Sequence, residues 1–147
     1  MITAADLKAA GNQLLKQKYP DMKIYGVASI EQLERPCFFT EILPFGLKYE
    51  SKNWAQNSAS FKITLIQEEP DEFRQYQLAE EIRNLFGLKL AVGDRKINVV
   101  WYGYDQIGEH HDMLQVTVKF EWYENMYEPE SAELMENLEV HTTQEGE

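Results

Sequence analysis

Cysteine is almost missing: Cys37 is the only one in 147 residues, so no intrachain disulfide can form, which fits a reducing cytoplasm. Nowhere do 18 apolar residues follow one another, so no membrane-spanning helix is expected. The opening stretch, MITAADLKAAGNQLLKQKYP, carries charge too early for a signal peptide, so a soluble product is expected that stays in the cell that makes it unless it leaves as part of something larger. Basic residues are few, 14 Lys and Arg against 25 Asp and Glu, and they do not cluster. Direct nucleic-acid recognition is therefore disfavoured, because affinity for phosphate backbones comes chiefly from clustered cations. The eight glycines are scattered, and none forms a phosphate loop between a strand and a helix.

Other chemistry is equally thin. His110 and His111 are adjacent, which points their side chains in different directions, and no cysteine or further histidine stands at ligand spacing, so no metal is expected. Cys37 lies in the apolar run PCFFTEIL and reads as a buried thiol rather than a nucleophile. Glu68-Glu69 and Glu80-Glu81 are neighbours, not opposed pairs, and look like a loop and a solvated helix face. No catalytic residue and no cofactor is nominated, and the expectation is a protein that is not an enzyme.

Against these absences stands one unambiguous pattern. From Leu114 to Trp122, apolar Leu114, Val116, Val118, Phe120 and Trp122 alternate strictly with Gln115, Thr117, Lys119 and Glu121. That is a strand with one face on a core, central to an antiparallel sheet. The net charge of −11 is uneven: residues 124–147 hold eight glutamates and no Lys or Arg, leaving −11 − (−8) = −3 for the rest.

Thr3 followed by Asp6 marks a helix start, with Leu7, Ala10, Leu14 and Leu15 at helical spacing up to Pro20. Met22–Ser29 and Cys37–Leu43 read as strands, as does Asn57–Gln67, where Ala59, Phe61, Ile63 and Leu65 alternate with polar residues. The stretch between the last two is too long for a tight turn, so it is either a pair of strand extensions projecting beyond the sheet or a mobile loop. Pro70, Asp71 and Glu72 suit the first turn of a second helix, whose apolar stripe runs Phe73, Tyr76, Ala79, Ile82, Leu85 and Phe86 to a stop at Gly87. Leu88, Leu90 and Val92 form a small strand or arm, Ile97–Tyr104 another strand, and residues 105–112 a hairpin loop. Leu134, Met135 and Leu138 suit a short amphipathic helix. The expected fold is α+β: two helices on one face of a mostly antiparallel sheet of about four strands, with a projecting β-hairpin arm. One domain spans residues 1–140, and residues 141–147 form a disordered acidic tail.

Aromatic and polar residues outside the expected core are the candidate sites. Tyr49, Ser51, Lys52, Asn53, Trp54 and Gln56 lie in the long connection, Tyr102 and Tyr104 near a strand end, and Tyr123, Met126 and Tyr127 after the central strand. Tyr, Trp and Met on loops beside a sheet edge suggest a protein–protein surface.

The order of these features resembles the phage tail terminator family of Gram-positive phages and phage-like elements. The residues that carry it are the helix ending in KYPDMKIYG around Tyr19 and Pro20, Gln32 followed by Pro36–Phe39, a polar hairpin arm, FKITLI at Phe61–Ile66, a helix after an acidic-proline turn, and the closing pair of strands from Ile97 to Tyr123. It covers roughly residues 3–140. The resemblance implies a homohexameric ring that caps the head-proximal end of the tail tube, stops tube polymerisation, and meets the connector and, in contractile tails, the sheath. It implies assembly in the host cytoplasm and then a place in the tail. The alternatives are a head–tail connector or tail assembly chaperone and, from another class, a small α+β enzyme or ligand-binding domain.

Overall fold

The computed structural model describes residues 1–26 and 33–127. Gln32, the distal part of the Met22–Ser29 strand, the short helix at Leu134–Leu138 and the tail beyond residue 140 lie outside them.

The described elements are α1 (Ala4–Lys18), β1 (Lys23–Tyr25), β2 (Cys37–Tyr49), β3 (Trp54–Ile66), α2 (Glu72–Phe86), β4 (Lys89–Val92), β5 (Arg95–Ile107) and β6 (Met113–Asn125). The sheet has six strands rather than four, in the order β1-β2-β3-β6-β5-β4, antiparallel except for β1 beside β2. It curls around the two helices, as sheets of this twist and width do. The two strands beyond the expected four are the short edges, three and four residues long, which fall within the expected strand at Met22–Ser29 and the expected small strand or arm at Leu88–Val92 but are not counted in the expected sheet.

The alternating residues of β6 face inward as expected. Leu114, Val116, Val118 and Phe120 are buried and stand opposite Leu65, Ile63, Phe61 and Ala59 of β3. α1 starts at a reciprocal cap, the Thr3 hydroxyl accepting from the Asp6 N–H while the Asp6 carboxylate accepts from the Thr3 N–H. It crosses β3 closely enough that Gly11 lies against the Phe61 ring.

α2 is rotated from its expected stripe. Phe73 is 78% exposed, while Gln75, Leu78, Ala79, Ile82 and Phe86 are buried. Six residues of helix carry Phe73 roughly 120° from Ala79, at about 100° per residue. Gln75 takes the inward place because its amide is satisfied: Nε2 donates to Gln67 Oε1 (3.0 Å) and Asp112 O (2.8 Å), and Oε1 accepts from Gln106 Nε2 (2.8 Å). Pro70 precedes the helix, whose N-cap is Asp71.

The long connection is a pair of strand extensions with a turn only from Glu50 to Asn53. It is not a free arm: β6 accompanies β3 down to the Trp54–Asn125 pair, and Ala55, Asn57 and Ala59 are buried within it. Pro44 falls in the irregularity between Ile42 and Phe45, where a missing N–H costs the ladder little. β5 runs three residues past the expected end at Tyr104, leaving a turn around Gly108 and His111, both with positive φ.

Candidate protein interface

Among the described residues no group of three or more His, Cys, Asp or Glu is placed to hold a metal. A cleft of about 400 Å³ opens between the end of α1 and the start of α2, lined in part by Tyr19, Gln67, Glu68 and Arg74. Two of its ionisable groups are tied together through Glu81: Arg74 is 3.2 Å from Glu81, which accepts from Tyr19 Oη at 2.7 Å. Burial and then the Glu81 hydrogen bond push the Tyr19 phenol up, and the same bond, with Arg74, holds Glu81 below the usual carboxylate range. Burial raises the Cys37 thiol, which keeps it protonated and inert.

The exposed apolar residues have more to say. At the turn joining β2 and β3, exposed Tyr49 and Trp54 flank exposed Ser51, Lys52 and Asn53. Tyr123 stands opposite Gln56 in the ladder and diagonal to Trp54 on the helix-free face; Met126 is tied here by its N–H to Asn53 O (2.6 Å), and Tyr127 follows it. Gln56 Nε2 donates to Glu121 Oε1 (3.3 Å) on that same face. Nine of the eleven candidates thus gather at one end of the sheet.

Tyr102 and Tyr104 are elsewhere. Tyr102 is half-buried against α2, its hydroxyl donating to Ala79 O, and burial pushes its phenol up to about 12. It is a packing residue. Tyr104 is exposed and continues an aromatic row with Tyr76 and Phe73 of α2, at ring separations of 6.4 and 6.5 Å.

Sequence reading missed three exposed groups: Leu43, Phe45 and Leu47 on β2, Val100 and Trp101 on β5, and Phe73 on α2. The β2 signal was present, since Phe45, Leu47 and Tyr49 alternate with Gly46 and Lys48. It was obscured by the shift at Pro44, which breaks the phase of the strand.

The family model for phage tail terminator proteins matches residues 6–133. The chain belongs to the phage tail terminator family. Its role is structural, in tail assembly. A solved chain from the virion of a native gene transfer agent particle has a similar fold, with a TM-score of 0.56 and 15% identity over 85% of the terminator and 99% of that chain. Another solved chain aligns over 88% of the terminator and 99% of itself at 12% identity, with a TM-score of 0.48, a level at which overall likeness no longer identifies a fold. No curated protein matches.

Proposed function

We propose that this terminator closes into a homohexameric ring on the last ring of the tail tube, stops its growth, and presents its other side to the head connector, with the sheath as a further partner where the tail contracts. The setting is a phage or phage-like element of a Gram-positive host, with assembly in the host cytoplasm before the protein joins the particle. The observation that carries the reading is the gathering of Trp54, Tyr123 and Tyr127 at the Ser51–Asn53 end of the sheet, all three at least half exposed, with Trp54 and Tyr123 diagonal neighbours on the helix-free face. Such a group at one end of a rigid sheet is suited to seat on the tube, because Tyr and Trp lose little side-chain entropy for the area they bury.

The test separates fold from contact. Deleting the turn and its flanks would remove buried Ala55 and Asn57, so point changes are the better tool. Trp54→Ala with Tyr123→Ala, introduced into the particle, is expected to give tails of uncontrolled length by electron microscopy from a protein that is folded by circular dichroism. Normal tail lengths from the folded double variant would overturn the assignment.

A further inference from the structure

Among the described residues the sheet has two partly bare edges, on β5 and on β2. On one side β4 covers only Arg95–Asn98 of β5, with Val99 N–H donating to Leu88 O (2.9 Å). From Val100 to Ile107 the outer edge of β5 has no partner strand among the described residues. On the other side β1 covers only Cys37–Phe39 of β2, leaving Thr40–Tyr49 without an outer partner among the described residues. Soluble proteins seldom leave strands of this length open, since each is a template for another chain.

Resting on the ring reading above, we propose that the free edge of β5 in one subunit pairs antiparallel with the free edge of β2 in the next, so that the ring is held by a continuous sheet. Strand direction supports it. β2 and β6 run one way and β3 and β5 the other, so a rotation about an axis running roughly along the strands sets β5 beside an antiparallel β2. Because the two edges differ, the contact is heterologous, the kind that generates rings.

Main-chain polarity agrees. Gln106 N–H turns away from β6 to its neighbour's Asp105 carboxylate (2.9 Å), so by alternation Tyr104 N–H also points outward. On β2, Glu50 N–H donates inward to Trp54 O (2.9 Å), which makes Leu47 and Tyr49 outward-pointing. On both strands these residues carry side chains on the helix face, so joining the edges brings exposed Phe45, Leu47 and Tyr49 toward exposed Tyr104 and Tyr76.

The geometry also closes. The bare part of β5 is opposite the β4 end, and the bare part of β2 is opposite the β1 end, so pairing them staggers neighbours by three to four residues, roughly 10–13 Å. Each subunit then advances the ring by four strand spacings, roughly 19 Å, giving a strand tilt of roughly 30°, close to that of closed barrels.

The experiment blocks one edge at a time. Leu47→Pro removes an outward N–H from β2 and Tyr104→Pro removes one from β5, neither being a β3 or β6 ladder donor; Leu47→Glu and Tyr104→Glu serve if a proline variant fails to fold. Mass is measured for the purified chain at tens of micromolar, alone and with tail tubes of the parent particle. Expected are a multimeric wild type, two variants that remain monomeric, and a one-to-one dimer when the two are mixed, since each retains the edge the other has lost. Variants that still multimerise overturn the edge pairing and leave the ring reading standing. So does loss of tube binding with multimers intact, which would give the edges to the tube protein. A wild type that never multimerises in either setting overturns the ring itself.

Discussion

Glu124 is the residue on which the lower end of the molecule depends. Its carboxylate is 5% exposed, yet it accepts from the Ile2 N–H at 2.8 Å, Trp122 Nε1 at 2.9 Å and Arg95 at 2.7 Å. Burial pushes its pKa upward, but these three donors together outweigh burial and hold it below its ordinary value of 4.5. A depressed folded pKa contributes stability that is present above the unfolded value and lost as pH falls through the folded one. Glu124→Gln keeps the shape but turns an amide N–H toward groups that are themselves donors. It is expected to lower unfolding free energy by about 1–3 kcal/mol at neutral pH in urea titrations. Below pH 4.5 the difference should shrink as the wild-type carboxyl takes up its proton. A gap between the two proteins that stays constant down to about pH 3 would show that the charge on Glu124 has no part in stability.

At the scale of elements, the approach of α1 to β3 turns on Gly11. A Cβ there would meet the Phe61 ring at 2.7 Å, and Phe61 cannot yield because it is itself packed against Phe86 and fully buried. Two effects oppose each other in Gly11→Ala. Helix propensity favours alanine by about 1 kcal/mol, and overpacking a tight core costs about 1–3 kcal/mol. The clash wins, so thermal unfolding should move down by several degrees, and Phe61→Leu in the same chain should recover part of the loss. A Gly11→Ala protein that melts above wild type would mean that the helix can shift away. The sequence announced both helices and the long strands because each has enough residues for its period to repeat. It showed β1 and β4 only as a short strand and a strand or arm, without their places at the edges of the sheet, and it did not show the place of Gln75 in the core, which depends on Gln67, Gln106 and Asp112 meeting it from distant parts of the chain. Of the candidate surface, the tip aromatics could be read because Tyr49 and Trp54 lie in the long polar connection and Tyr123 and Tyr127 follow the alternating residues of the central strand. Tyr102 looked the same in sequence and is a packing residue, since only the fold brings Ala79 to its hydroxyl.

The whole molecule divides its apolar side chains between two tasks. Phe61, Phe120, Ile63, Val116 and their neighbours are buried and hold the fold, whereas Tyr49, Trp54, Tyr123 and Tyr127 stand in water at one end of the sheet. Removing exposed residues that touch no core group changes stability by about 0.5 kcal/mol or less, so Trp54→Ala with Tyr123→Ala should unfold near the wild-type midpoint when alone. Tail tubes should separate the two proteins. A partner that binds only the folded state at a hundred times its Kd adds about 2.7 kcal/mol. In a chain of this size that is on the order of 8 °C in the melting midpoint. The wild type is expected to gain that increment by differential scanning fluorimetry in the presence of tubes, and the double variant to gain little. Equal gains would place the tube contact away from the tip. A variant already destabilised by itself would show that these aromatics serve the fold, and that the division between core and contact surface is drawn in the wrong place.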